Sequence, residues 1–199
     1  MSAPISVVIP TIGRETLDLT LESFARDLTD QDHVIVMADG ANEWVSDLVY
    51  DFSCRFPAAD WTYAFEPEIL GTFGHPLTNI ALNRYVDSDS WVWRLDDDDI
   101  AAEGALDALR SAQDDPWSVF RMTFGPGHYA EGITIWREPR LRHGDVGTPM
   151  FFAPLCSARF GLEYSGDFVY AQALEAMLGP PVFREEVVCV VRPEPLEEP

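Results

Sequence analysis

Trp91-Val92-Trp93-Arg94-Leu95-Asp96-Asp97-Asp98-Asp99-Ile100, WVWRLDDDDI, sets four adjacent carboxylates directly after a short aromatic and aliphatic run. That run reads as a buried strand, because aromatic and β-branched side chains pack well on a pleated surface. Carboxylates crowded at its end raise one another's pKa unless a cation or hydrogen-bond donors neutralise them. The bland reading is an acidic loop in an acidic chain, with one Asp capping a helix that begins near Ala101. Yet a solvated charge run sits among polar residues, whereas this one follows Trp91, Trp93 and Leu95.

Upstream of it, strand and helix patterns alternate. Ile5 to Ile9 is a β-branched run closed by Pro10, and after the turn Thr11-Ile12-Gly13-Arg14 the residues Leu17, Leu21, Phe24 and Leu28 recur at helical spacing. His33 to Met37 predicts a second buried strand ending at Ala38-Asp39-Gly40, followed by a helix with Trp44, Leu48 and Phe52 on one face. Trp61 to Phe65 predicts a third strand, and Pro76 opens a helix carrying Leu77, Ile80, Ala81 and Arg84. WVWRL is then the fourth strand. This alternation implies an α/β fold, a Rossmann-like, mainly parallel sheet flanked by helices.

Downstream, Ala102 to Ala112 predicts a helix and Trp117 to Phe124 a strand. Beyond Gly125-Pro126-Gly127 the pattern loosens into antiparallel pieces, Ile133 to Trp136 and Met150 to Ala153. A helix from about Asp167 to Leu178 and a strand from Val182 to Val191 follow, and the acidic, proline-rich residues 192–199 read as a disordered tail.

Composition narrows the function. The net charge is −21 and all 13 basic residues are Arg, so chemistry that needs a lysine is excluded. So acidic a surface repels phosphate backbones and anionic membranes, which argues against general nucleic-acid binding, and its self-repulsion implies that cations contribute to stability. Cys54, Cys156 and Cys189 are odd in number and widely spaced, which indicates neither a zinc cluster nor a disulfide framework. The N-terminal MSAPISVVIP has no basic, apolar leader pattern and no apolar run approaches a membrane span, so a cytoplasmic protein is expected.

In a parallel α/β sheet ligands bind beyond the carboxyl ends of the strands, where the four aspartates lie. Oxygen ligands in a short loop suit Mg²⁺ or Mn²⁺, and such an ion also grips phosphate oxygens. A dehalogenase-like phosphatase would place its Asp-x-Asp near the chain start with a Thr two positions on, whereas here the cluster is central and Ile100 follows it. An EF-hand loop needs alternating acids, a central Gly and a terminal Glu, which DDDDI does not offer.

Four motifs in order resemble those of a family 2 type glycosyltransferase of GT-A fold, over roughly residues 4–180. They are Val8-Ile9-Pro10-Thr11 after the first strand, Asp39 in VIVMADG, Gly74 and Asn79 in GHPLTNIALNR, and Leu95-Asp96-Asp97-Asp98-Asp99, which is similar to the family's Leu-Asp-x-Asp-Asp. The resemblance implies a single domain over 1–191, with a nucleotide-sugar-binding half, 1–100, and a smaller antiparallel acceptor-side half, 101–191. It also implies a metal-dependent transfer of a sugar from a nucleoside-diphosphate sugar, a UDP-sugar first, to an acceptor hydroxyl with inversion. Pro10, Thr11, Arg14, Asp39, Gly40, Asn79, Arg84, Asp96 and Asp97 would bind the donor, Asp39 accepting from the base. Asp96, which would meet ribose or metal, and Asp98 would hold Mn²⁺ or Mg²⁺. Asp167, in Tyr164-Ser165-Gly166-Asp167, would be the catalytic base at the start of a late helix.

Two positions depart from the family pattern. Gly166 stands where a Glu is usual, and Thr78 stands where an Arg is common, leaving Arg14 and Arg84 as candidates for the diphosphate grip. His75 and His128 read as loop or surface residues, while His143 would border the acceptor site; Tyr129, Trp136 and Phe151 are candidates for stacking on sugars. Sugar-phosphate nucleotidyltransferases share the architecture but usually carry a glycine-rich first loop and a later Lys. A dehalogenase-like phosphatase is the third reading, and from a different class comes a noncatalytic nucleotide-sugar or metal-binding module.

Overall fold

The computed structural model describes residues 2–125, 131–136 and 138–191. Its first half is β1 (Ile5–Thr11), α1 (Leu17–Glu22), β2 (His33–Asp39), α2 (Glu43–Arg55), β3 (Asp60–Glu66), α3 (His75–Arg84) and β4 (Trp91–Arg94). Then come β5 (Asp99–Ala101), α4 (Ala105–Ser111), β6 (Ser118–Phe124), β7 (Thr134–Ile135), β8 (Phe151–Pro154), α5 (Gly166–Leu178) and β9 (Val182–Val191).

The strands form one sheet in the order β3-β2-β1-β4-β8-β6-β9-β5, with β7 paired to β6. β1 runs parallel to both β2 and β4, and β2 parallel to β3. β8 is antiparallel to β4 and β6, β7 to β6, and β5 to β9, whereas β6 and β9 are parallel. Every residue of β1 and of β4 is buried, because helices cover both faces, and this is why those strands read as mainly apolar runs, with Ser6 inside β1 and Thr11 and Arg94 at the strand ends.

From β1 the chain proceeds outward through β2 and β3, then returns to place β4 on the other side of β1. The gap between the carboxyl ends of β1 and β4 is therefore a topological switch point, the position at which open α/β sheets form a crevice. Trp93 fixes β4 there: it is fully buried, its indole Nε1 donates to the Pro149 carbonyl at 2.9 Å, and its ring lies edge-on to Phe24 at 6.4 Å.

Three sequence-based expectations change. Leu17, Leu21, Phe24 and Leu28 are all buried, but α1 ends at Glu22 and a short 3-10 turn, Ala25–Asp27, carries the chain on. On α2 the buried stripe is Val45, Val49 and Phe52, and Trp44 is 41% exposed. The helix expected from Ala102 starts at Ala105, after Gly104 in the left-handed region, because Asp99–Ala101 pairs with β9 as a strand. Residues 192–199, His128 and Tyr129 lie outside the described residues. Among the described residues no helix is long and apolar enough to cross a membrane.

Candidate active site at the switch point

Asp97 ties β1 to the loop after β4. Its carboxylate accepts from the Thr11 hydroxyl at 2.7 Å and from Nη1 of Arg14 at 2.8 Å, and its carbonyl accepts from the Thr16 hydroxyl at 2.9 Å. Burial pushes the Asp97 carboxyl up, against the Thr11 hydrogen bond and the Arg14 charge, which hold it down. The same Arg14 Nη1 lies 3.1 Å from Oδ2 of Asp98. Asp96 pairs instead with Arg94, whose Nη2 donates to Asp96 at 2.6 Å and to the Phe73 carbonyl at 2.8 Å. Arginine thus supplies counter-charge within the acidic run itself.

Two clefts open at this place. The smaller, about 310 Å³, is lined by Pro10, Thr11, Arg14, Asp39, Gly74 and Asp97 among others. The larger, about 710 Å³, runs over the second half of the sheet and includes His75, His143, Tyr164 and Asp167. Phe73, Arg94, Asp96 and Asp98 line both, so these four form the shared wall.

Of the predicted donor residues, Pro10, Thr11, Arg14, Asp39, Asp96 and Asp97 gather around the smaller cleft. Asp39 accepts from the backbone amides of Leu70 at 2.7 Å and Gly71 at 2.8 Å, pinning the loop that forms the cleft's outer wall. Gly40 ends β2 with φ +91° and donates to the Glu66 carbonyl at 2.9 Å, and it lines neither cleft. Asn79 and Arg84 also stay out. The Asn79 amide is spent in both directions on the Phe160 backbone at 2.9 Å, and Arg84, 59% exposed, faces Glu66 at 3.6 Å.

Asp167 sits in the first turn of α5 on the wall of the larger cleft. Burial raises its carboxyl above the ordinary carboxylate range, opposed by the Phe168 amide, which donates to it at 2.7 Å, and by the charges of Arg94 and His143. His143 packs edge-on against Phe168 at 5.7 Å.

His75, expected at the surface, is instead 3% exposed and stacked on Phe160 at 5.5 Å. Burial and the Arg94 charge hold its pKa down, favouring the neutral ring. The same ring accounts for Gly166: a Cβ there would overlap both Nδ1 of His75 and the Gly161 carbonyl oxygen. Trp136 and Phe151, expected to stack on sugars, are 4% and 3% exposed and belong to the core. The open aromatic faces are Phe73 and Tyr164, 61% and 79% exposed, which meet edge-on at 5.3 Å above the larger cleft.

Arg94 and Phe73 are the site residues that sequence reasoning did not single out. Arg94 carries a signal, a charge closing an otherwise apolar strand, which must find a partner when both faces are covered. Phe73 does not, since its left-handed backbone (φ 55°) is invisible in GTFGH.

Among the described residues no three His, Cys, Asp or Glu side chains converge as a ready-made metal cage. Asp96 and Asp98 still offer hard oxygens on the shared wall, and an ion held by one or two carboxylates plus ligand phosphates needs no such cage. The donor set therefore fits Mg²⁺ or Mn²⁺ that binds together with a diphosphate.

No protein-family model matches this chain, and no curated protein matches it. Solved structures do. S. aureus TarS superposes with a TM-score of 0.73 at 13% identity, over 94% of this chain and 36% of TarS. The mannosyltransferase PcManGT from Pyrobaculum calidifontis, in complex with GDP-Man and Mn²⁺, gives 0.67 at 17% identity over 94% of this chain and 56% of its own. The fold is GT-A-like. This chain spans only about a third of TarS and just over half of the mannosyltransferase. A 4-diphosphocytidyl-2C-methyl-D-erythritol synthase also superposes, at 0.56 and 13% identity, over all of this chain and 94% of its own.

Proposed function

We propose that this GT-A-like chain moves a sugar from a nucleoside-diphosphate sugar to an acceptor hydroxyl, with inversion. The observation that carries the reading is the pair of clefts sharing one wall, with Asp167 on the side away from Thr11 and Arg14. The smaller cleft would take the nucleoside, the wall the diphosphate, and the larger cleft the sugar and acceptor. Thr11, Arg14 and Asp97 keep the nucleoside side rigid, while the Asp39 carboxylate holds the 70–71 loop against it.

Asp167 would accept the acceptor proton as the hydroxyl oxygen bonds to the anomeric carbon. The bond from that carbon to the phosphate oxygen breaks with its electron pair leaving on the diphosphate. A base held above the ordinary carboxylate range is better matched to a hydroxyl proton at neutral pH than a solvated Asp. Asp96 and Asp98 would hold Mn²⁺ or Mg²⁺, which when bound neutralises charge on the departing diphosphate. A cytoplasmic setting and a UDP-sugar as first choice of donor belong to the same proposal.

The test is a panel of UDP, GDP and TDP sugars with Mn²⁺ or Mg²⁺, scored for nucleoside diphosphate release and donor binding. Asp167→Asn should lose turnover by several orders of magnitude and still bind donor; full activity in that variant removes Asp167 as base. No binding of any nucleotide sugar sinks the reading. The synthase neighbour keeps a nucleotidyltransferase reading as the second choice. Pyrophosphate release from a nucleoside triphosphate and a sugar phosphate would favour it.

A further inference from the structure

We infer that Arg94 is a phosphate-binding residue that holds the diphosphate of a nucleoside-diphosphate ligand against the N-terminus of α3. The inference rests on the donor reading above and narrows it to one side chain.

Arg94 closes β4 and is only 3% exposed. Its Nη2 serves Asp96 and the Phe73 carbonyl, but among the described residues Nε and Nη1 have no hydrogen-bond partner. That leaves the single N–H of Nε and the two of Nη1, three of the five guanidinium donors, without a hydrogen bond among the described residues in a buried place, where the guanidinium also faces the Phe160 ring at 5.5 Å. Idle buried donors on a charged group are costly and rare, and they call for a missing partner. The planar fork of a guanidinium matches phosphate oxygens, and a fixed cation at a wall of carboxylates admits an anion that would otherwise be repelled.

A second feature meets it there. α3 is ten residues long and starts behind Gly74, which sits at φ +69° and gives its first turn no side-chain cap. Uncapped first-turn amides and the helix dipole attract anions. A Cβ on Gly74 would overlap the Pro10 ring at 2.7 Å and stand 3.2 Å from Nη2 of Arg94, so the missing side chain lets the helix start lie against the end of β1 with the guanidinium beside it. Arg94 and Phe73 line both clefts, which is where a diphosphate must lie if it joins a nucleoside in one to a sugar in the other. Asp96, whose side chain is 34% exposed, can turn towards ribose or an ion and release the Nη2 edge. Of the two arginines expected to grip the diphosphate, Arg14 is paired with Asp97 and Asp98, and Arg84 faces Glu66 outside the clefts.

The experiment measures binding of uridine, guanosine and thymidine and of their diphosphates by calorimetry, in EDTA so that no ion contributes. In the wild type the diphosphate should improve affinity about tenfold or more over the nucleoside, the scale of charge-assisted hydrogen bonds. Arg94→Gln should bring the two affinities together, weakening the diphosphate at least about tenfold more than the nucleoside, a split that general loosening of the fold would not produce. Arg94→Lys keeps the charge without the fork and should retain part of it. A wild type with no diphosphate gain overturns the inference, and so does an Arg94→Gln protein that keeps the gain. Should Arg94→Gln fail to fold by circular dichroism, the wild-type series and Arg94→Lys decide. If no nucleoside or diphosphate binds, with or without Mn²⁺, the donor reading itself falls and takes this inference with it.

Discussion

Burial holds the Asp167 carboxyl above the ordinary carboxylate range, so the acid limb of a pH–rate profile should lie above that of a solvated Asp. The same shift has a stability sign. A carboxyl raised in the folded state favours folding while protonated, and that advantage is lost as pH rises through the raised value. Asp167→Asn should therefore melt higher than wild type at neutral pH. The difference should shrink to nothing as pH falls below the unfolded Asp value, near 3.9. Melting curves at a series of pH values check this; an Asn variant that melts lower throughout would show that Asp167 is a stabilising cap instead.

Gly166, beside it, is dictated by packing. Gly166→Ala should cost about 1–3 kcal/mol in urea unfolding, as overpacking does, because the Gly161 carbonyl cannot retreat without moving its own loop. Adding His75→Ala should restore only part of it, since that carbonyl remains. Full rescue would put the whole clash on the His75 ring. The Gly in place of an expected Glu is thus compatible with a buried His75, which a sequence without its contacts gives no means to see.

At the scale of elements, β4 bears the consequence, because the aspartate wall is placed by the strand that precedes it. Trp93→Ala should destabilise the protein by about 3–5 kcal/mol, the range for deleting a buried large aromatic. It should also weaken nucleotide binding, since the Pro149 and Phe24 contacts that fix the strand end would go. Unfolding and binding measured on one sample test both; a Trp93→Ala loss well under 1 kcal/mol would mean that β4 is held from elsewhere. The buried parallel strands were legible because covering both faces leaves few polar residues to interrupt the apolar run, Ser6 being the one inside β1. Helix faces were less so. On α2 the residues at 44, 48 and 52 and those at 45, 49 and 52 are both apolar, and only packing selects the second set. The candidate cleft was legible where like charges crowd the end of a buried strand, as in the aspartate run. It was illegible where the partner is distant, as with Asn79, which the Phe160 backbone claims across 81 residues.

For the molecule as a whole, a net charge of −21 means that folding compresses a self-repelling surface. Raising salt from about 0.01 M to about 0.15 M shortens the screening length from roughly 30 to 8 Å and should raise the melting temperature. A divalent ion adds a second effect only if it binds at a site. Asp98 already faces Arg14 and Asp96 already faces Arg94, so the free protein gives an ion little that the arginines do not supply. Mg²⁺ or Mn²⁺ at matched ionic strength should accordingly add little to the melting temperature by itself. Together with a nucleoside diphosphate it should add a clear increment, because the phosphates complete the oxygen set and anything that binds only the folded state stabilises it by mass action. A large shift from the ion alone would place a preformed metal site on this surface and reverse the order of binding argued here.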